Sequence, residues 1–277
     1  MPTHTQPTPT FTSCIMPDYS QELLLIRKAF TVASARIKIL SQKGLGIKVK
    51  PDGSPVTDGD LEVNHIVQQI LGNAYPNDGW LSEESPDNPS RLQKHRVWIL
   101  DPIDGTKHFI KGLPQYTISL ALIDRGQPAI GIIFNPATLE YFCAIQGASA
   151  TLNGQTIQVR TGHSSRMTFL VNPWQVSQDT LRGWRAATHC SPLLGSIAYS
   201  LALVAAGHVD GVINVSQQHE WDIAAALLLV QAAGGIVVDK HLKPIICNQP
   251  NPVVDGIIAA RPDALPHIQE LLKTLNR

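Results

Sequence analysis

The stretch "WILDPIDGTKHFIKG", residues 98–112, runs from an apolar segment directly into two carboxylates, a proline and a glycine. The run "RVWIL" that leads into it is short and apolar throughout, as a strand covered on both faces requires. Asp101 and Asp104 stand three residues apart across Pro102 and Ile103, and Gly105-Thr106 opens a short helix. In a plain Asp-Pro turn these acids would only cap that helix. Two carboxylates crowded on one turn repel, however, unless something positive stands between them. A strand end that feeds a helix start also offers unpaired backbone N–H groups to an anion. Carboxylates at that place are hard oxygen ligands, the kind Mg²⁺ takes together with phosphate oxygens. The Thr106 hydroxyl stands where it can orient a water.

Other acids occupy comparable positions. Asp60 ends "SPVTDGD", where Thr57 followed by an acid three residues on fits a capping box, with Leu61, Ile66, Ile70 and Leu71 as the apolar face of the helix. Glu83 and Glu84 lie in "LSEES", after a short strand. Asp222 opens "WDIAAALLLVQAAGG", a helix that is apolar all round, and a carboxylate at the mouth of a buried helix needs a partner. Singly, each has an ordinary reading as a cap or a solvated acid. Together Asp60, Glu83, Asp101, Asp104 and Asp222 make a site for two or three divalent cations, held ~4 Å apart by shared carboxylates.

The rest of the chain bounds this reading. Over 277 residues the formal charge is zero, 22 basic against 22 acidic, so no whole-molecule field points to nucleic acid or membrane and an anionic ligand needs a local site. Cysteines at 14, 143, 190 and 247 are scattered without C-x-x-C, which reads as reduced thiols of a cytoplasmic protein. Residues 1–16 are Pro/Thr-rich without a basic or apolar leader segment, and are expected to form a flexible tail. The apolar stretch Ile223–Ala233 is too short to span a bilayer.

Helical spacing covers 18–43, and four short β runs with turn signals fill 117–159 as an antiparallel meander. Strands at 167–172, 209–214, 236–239 and 256–260 then alternate with helices near 195–206, 222–233 and 263–275. The shift near 160 separates an N-terminal α+β half, 17–160, from a C-terminal α/β half, 161–277, which supplies Asp222 and substrate contacts.

"WILDPIDGTKHF" resembles the first signature, D-P-[IL]-D-G-T-x-x-F, of the inositol monophosphatase-like, lithium-sensitive phosphatases. "EWDIAAALLLVQAAGG" is similar to the second signature, and "SPVTDGD" and "LSEES" match the two upstream segments in the same order. The resemblance runs from about Lys50 to Gly235. It implies a layered αβαβα sandwich of the inositol monophosphatase and fructose-1,6-bisphosphatase type, and hydrolysis of a phosphomonoester without a phosphoenzyme. It also implies dependence on Mg²⁺, with Mn²⁺ as a substitute and Li⁺ as inhibitor, and a homodimer. By resemblance, Glu83, Asp101 and the Ile103 carbonyl hold one Mg²⁺, Asp101, Asp104 and Asp222 a second, and Glu83 a third. Thr106, bonded to Asp60, orients and helps deprotonate the attacking water, with Glu83 sharing the task. The Gly105 and Thr106 N–H groups cradle phosphate, and Glu84 matches the second family acid.

The substrate is read from departures. Inositol phosphatases typically carry Asn after D-G-T-x and an acid seven residues before the W-D aspartate; this chain has Lys107-His108 and Val215. The K-x-D-x-S-P-V-T-x-x-D run from Lys50 to Asp60, "LSEES" and D-G-T-K-x-F-I-K look closer to the 3′(2′),5′-bisphosphate nucleotidases, which act on 3′-phosphoadenosine 5′-phosphate. That branch has Glu where this chain has His108. A histidinol-phosphate phosphatase branch also uses D-G-T-K-x-F, and an inositol-1-phosphate phosphatase is a further alternative. Lys107, His108 and Lys111 suit a doubly phosphorylated ligand. Lys50 either steers a second phosphate or is a solvated loop lysine. Gly195 and Ser196 fall beside the leaving group in the family pattern, with His219 and Glu220 near the same pocket. Two other classes fit less well. A haloacid-dehalogenase-type phosphatase needs D-x-D where this chain has D-P-I-D, and a non-enzymatic binder on this fold would lack a metal acid, whereas none is missing.

Overall fold

In the computed structural model, which describes residues 18–162 and 166–274, the first helical segment is α1 (Ser20–Lys43), with Ile26, Ala29, Phe30, Ala33 and Ile37 on one buried stripe. The expected N-terminal tail and Cys14 lie outside the described residues. A small hairpin of β1 (Lys48–Val49) and β2 (Pro55–Val56) leads to α2 (Asp58–Ala74). The capping box is present: the Thr57 hydroxyl accepts from the Gly59 and Asp60 amides, and the Asp60 carboxylate accepts from the Thr57 amide. Of the apolar face expected for α2, Leu71 is buried, together with Val63, Asn64 and Val67. Leu61 is exposed, and Ile66 and Ile70 lie at the margin.

A seven-stranded sheet follows in chain order: β3 (Gly79–Ser82), β4 (Arg96–Asp104), β5 (Thr117–Asp124), β6 (Gln127–Asn135), β7 (Glu140–Ile145), β8 (Thr151–Leu152) and β9 (Gln155–Thr156). Only β3 and β4 are parallel, so the meander stands, with five strands after residue 116 instead of four. The short helix α3 (Thr106–Ile110) springs from the end of β4. Along β4, Val97 and Ile99 join one apolar cluster while Trp98 and Leu100 join another. Burial on both faces is why this strand shows no polar alternation.

The second sheet contains β10 (Thr168–Val171), β11 (His189–Pro192), β12 (Gly211–Asn214), β14 (Ile236–Val238) and β16 (Ile257–Ala260), in the order β11-β10-β12-β16-β14. A separate pair, β13 (Gln218–His219) with β15 (Val253–Val254), lies beside it. The helices of this half are α4 (Gln178–Ala187), α5 (Ile197–Ala205), α6 (Glu220–Ala232) and α7 (Leu265–Lys273). Sequence reading did not foresee α4 or β11. Helix α4 is amphipathic but short: Leu181 and Trp184, three residues apart, are its only buried side chains, with Gly183 between them, and β11 is a largely exposed edge strand without apolar alternation.

Three apolar clusters fill the four spaces between five layers, one of them spanning both sides of the central helix layer. α1 and α2 cover one face of the large sheet, and α5 and α6 fill the space between the two sheets. α4 and α7 cover the outer face of the second sheet through Leu181, Trp184, Ile268 and Leu271. This is the αβαβα sandwich expected from the sequence. Helix α6 is apolar all round because it lies between two sheets, with Ile223 through Val230 all buried. It sits unusually close to β6: a Cβ built on Gly131 would stand 2.4 Å from the Ala225 carbonyl oxygen. Among the described residues no helix is long and apolar enough to cross a membrane. Cys143, Cys190 and Cys247 are free thiols.

Gly131→Ala is expected to lower unfolding stability by roughly 1–3 kcal/mol, since two stretches of backbone must separate to admit one methyl group. Urea unfolding monitored by far-UV circular dichroism measures this; an unchanged midpoint would mean that α6 rides on the sheet more loosely than the structure shows.

Candidate active site

The end of β4 turns into α3 through Gly105, whose φ of +95° lies in the left-handed region. A side chain is excluded there twice over. The backbone conformation is strained for L residues, and a Cβ would stand 2.8 Å from the Gln115 carbonyl oxygen. This turn places Asp104 in the wall of a cleft of about 540 Å³, with Asp101 buried behind it. Glu83, Asp104, Gly105, Thr106, Lys107, His108, Gly195 and Asp222 line the cleft, so eight of the residues singled out from sequence come together there.

Asp60, Asp101 and Ile103 lie behind that lining, buried. Asp60 divides its work: one oxygen closes the capping box, and Oδ1 accepts from the Thr106 hydroxyl at 3.1 Å. Thr106 Oγ1 also lies 3.0 Å from the Ile103 carbonyl. Its single proton is thus committed toward these acceptors, which leaves oxygen lone pairs free to accept.

Asp104 Oδ2 accepts from the Ser196 hydroxyl at 2.6 Å and the Ala198 amide at 2.7 Å, both at the start of α5. Asp222, in the first turn of α6, accepts from the His219 amide at 2.9 Å. Asp101 Oδ1 is buried with no hydrogen-bond partner. Burial, joined by the charges of Glu83 and Asp104, pushes the Asp101 carboxyl well above its ordinary range. Burial raises Asp104 to about 7, and burial together with Asp104 raises Asp222. Burial raises Asp60 as well, against the hydrogen bonds from Thr57.

Several residues expected at the pocket have other work. Lys50 is neither a solvated loop lysine nor part of the cleft lining: its ammonium bonds Glu83 Oε1 at 2.7 Å and also bonds Glu84. Burial opposes that charge, yet the two glutamates hold Lys50 above its ordinary range. Glu84 thereby faces Lys50 and not the cleft. Ser196 is fully buried and orients Asp104; Thr117 and the Tyr199 amide complete its hydrogen bonding. Glu220 has no exposed surface and accepts from the Asn248 and Gln249 amides, tying a distant loop to α6. His219 stacks on Trp221 with ring centroids 4.5 Å apart and does not line the cleft; its partial burial lowers its pKa. Lys111 is exposed and outside the lining. Val215 packs into the outermost apolar cluster.

Sequence reading missed Ser54, Asn172, Trp174, Gln175, Asn214 and Gln218, which also line the cleft. One signal was available. Asn172 and Asn214 directly follow or end the parallel strands β10 and β12, and ligands of open α/β sheets bind at the carboxyl ends of such strands.

The site fits a divalent cation by its chemistry. It offers carboxylates that are buried, that raise one another's pKa values, and that include one orphaned oxygen. The side chains are not closed on a common point, since no three His, Cys, Asp or Glu groups among the described residues converge as a ligand set, and Glu83 leans on Lys50.

The profile of the Inositol monophosphatase family matches residues 20–275, and the chain belongs to this family of phosphatases, which hydrolyse phosphate monoesters. The chain is 34% identical over 213 residues to an inositol-1-monophosphatase of Mesorhizobium japonicum, covering 71% of this chain and 76% of that one. It is 32% identical over 202 residues to the Nus factor SuhB of Pasteurella multocida, covering 69% and 74%. A histidinol-phosphatase of Chlorobaculum parvum is 30% identical over 260 residues, covering 88% and 92%. Among solved structures, the Thermotoga maritima IMPase superposes with a TM-score of 0.82 at 26% identity, covering 92% of this chain and 98% of that one. An IMPase/NADP phosphatase complexed with Mg²⁺ and phosphate gives 0.82 at 25%, covering 92% and 95%.

The raised Asp104 carboxyl sets a pH dependence. Between its ordinary value of 3.8 and about 7 the folded protein holds a proton that the unfolded chain releases, so stability falls as pH rises through that window. In chelator-treated protein, the melting temperature of Asp104→Asn relative to wild type is expected to climb from pH 5 to pH 8. A constant difference across this range would show that Asp104 carries no such burden.

Proposed function

We propose that this phosphatase is a Mg²⁺-dependent enzyme removing phosphate from a small, doubly phosphorylated metabolite, with 3′-phosphoadenosine 5′-phosphate as its representative substrate. The supporting observation is one cleft in which the acids Glu83, Asp104 and Asp222 face the Gly105-Thr106 turn, with Lys107 and His108 on the next residues. Glu83, Asp101, Asp104, Asp222 and the Ile103 carbonyl are the residues to hold the ions, two or three in number. When bound there, Mg²⁺ supplies positive charge to phosphoryl oxygens and acidifies water.

The chain's own groups do the rest. Thr106, its proton directed at Asp60 or Ile103, accepts a hydrogen bond from the attacking water and fixes its approach; Asp60 and Glu83 are the bases within this arrangement. Gly105 and Thr106 receive the phosphate at the opening of α3. Lys107 and His108 meet the second phosphate, a charge that a singly phosphorylated polyol lacks. Gly195 leaves room for the His108 ring, from which a Cβ at that position would stand 2.2 Å. An inositol ring finds no acid at residue 215, which is a valine half-buried against the outermost apolar cluster.

Asp101→Asn and Asp222→Asn are each expected to cut kcat by more than about a hundredfold with the fold retained, since even outer partners of metal ligands are worth ~10–100-fold. Near-normal turnover in either variant removes the ligand assignment. Phosphate release with Mg²⁺, with and without millimolar Li⁺, should be compared for 3′-phosphoadenosine 5′-phosphate, inositol 1-phosphate, histidinol phosphate and fructose 1,6-bisphosphate. The expected result is a kcat/KM at least about tenfold higher for the nucleotide, a difference of ~1.4 kcal/mol, and inhibition by Li⁺. A preference for histidinol phosphate or inositol phosphate overturns the substrate and leaves the phosphatase standing.

A further inference from the structure

Among the cleft-lining residues that the chemistry above does not use, Trp174 is the one with a large aromatic ring. It lies on the turn after β10, lines the cleft, and is 90% exposed. Of the five tryptophans, Trp98 and Trp184 are buried and Trp80 and Trp221 half-buried, so Trp174 alone spreads its ring into solvent. It belongs to none of the three apolar clusters, and the fold gains nothing from an indole there.

The turn that carries it is nevertheless well braced. Asn172 Oδ1 accepts from the Trp174 amide at 3.1 Å, and the Asn172 carbonyl accepts from the Gln175 amide at 3.2 Å. Pro173 fixes the backbone between them. The Gln175 side chain donates to the Ser216 hydroxyl, which donates in turn to Asn214 Oδ1 at 3.1 Å. The turn is thereby fastened to the loop beyond β12 while the indole is left unattached. A large aromatic plane held on a braced turn at the rim of a 540 Å³ cleft is suited to meet another plane.

We propose that Trp174 is a specificity-determining platform that stacks on a purine ring carried by the leaving group. Stacking needs a π-face, which every nucleobase offers and a polyol does not. Lys107 and His108, lining the same cleft, serve the second phosphate. The assignment rests on the phosphatase reading of this cleft, and it adds that the leaving group is recognised by its flat ring.

The test compares wild type, Trp174→Ala and Trp174→Phe, each with Mg²⁺, on 3′-phosphoadenosine 5′-phosphate, histidinol phosphate and inositol 1-phosphate. For Trp174→Ala, KM for the nucleotide should rise about tenfold or more. Its kcat should stay within about twofold, as uniform binding predicts. Trp174→Phe should recover most of the loss, and turnover of inositol 1-phosphate should not move. Independently, AMP added to the Mg²⁺-loaded protein should quench tryptophan fluorescence in wild type and not in Trp174→Ala.

Equal losses on ringed and ringless esters, or no loss on any, overturn the platform. A rise confined to histidinol phosphate overturns the purine and assigns the platform to an imidazole. Absence of AMP quenching together with unchanged kinetics leaves the exposed indole to a protein partner and overturns the proposal. If wild type hydrolyses none of the three esters, the substrate reading fails, while AMP quenching still decides whether Trp174 stacks.

Discussion

Two buried aspartates, Asp101 and Asp104, with the half-buried Asp222 beside them, set the terms for everything around them. Taking a carboxylate out of water costs several kcal/mol even after relaxation, and a neighbouring carboxylate adds to that cost. The fold answers with backbone dipoles. Asp104 accepts from the opening turn of α5, and Asp222 sits in the opening turn of α6, so two helix N-termini direct partial positive charge at the acids. Ser196 and the His219 amide supply further hydrogen bonds. Asp101 receives none at Oδ1. The architecture thus satisfies part of the demand and leaves the remainder for a cation.

How far the sequence carries follows from the same physics. A strand buried on both faces, a capping box and a helix apolar all round each leave a local signature, and β4, α2 and α6 were all legible. The central acids were legible for the same reason, because charge at the end of an apolar run is conspicuous. What failed were statements about direction. Ser196 and Glu220 stand beside site residues in sequence, but both side chains turn inward to hydrogen-bond backbone and carboxylate groups. Lys50 reads as a solvated lysine until the hairpin folds it onto Glu83 and Glu84. Helix α4 has a helical period and a Ser177 cap, but its apolar face is only Leu181 and Trp184, two residues in a polar run, which is too faint a signal to mark it.

The cleft also separates chemistry from selection. Most of the acids stand on α2, the large sheet and α6, all packed into extensive apolar clusters. Much of the remaining wall comes from turns after β10, β11 and β12, which are held mainly by side-chain and turn hydrogen bonds. The family's members bear names as different as inositol-1-monophosphatase, histidinol-phosphatase and Nus factor. In this chain the acids stand on packed elements and much of the wall above them on turns, a division that lets one scaffold carry different specificities.

The shared central layer has a consequence for biosynthesis. The inner face of the large sheet, with Val97, Ile99, Ile133 and Phe142, is covered by α5 and α6, which lie more than fifty residues beyond the sheet's main strands. While the chain leaves the ribosome, the sheet can pair its strands long before this apolar face has a cover. The nascent protein therefore passes through a stage with one side dressed by α1 and α2 and the other bare. That stage ends only when the segment bearing Asp222 emerges, so the same helix that completes the acid cluster also covers the large sheet, while its own far face waits for β14 and β16, the last strands of the second sheet to be made.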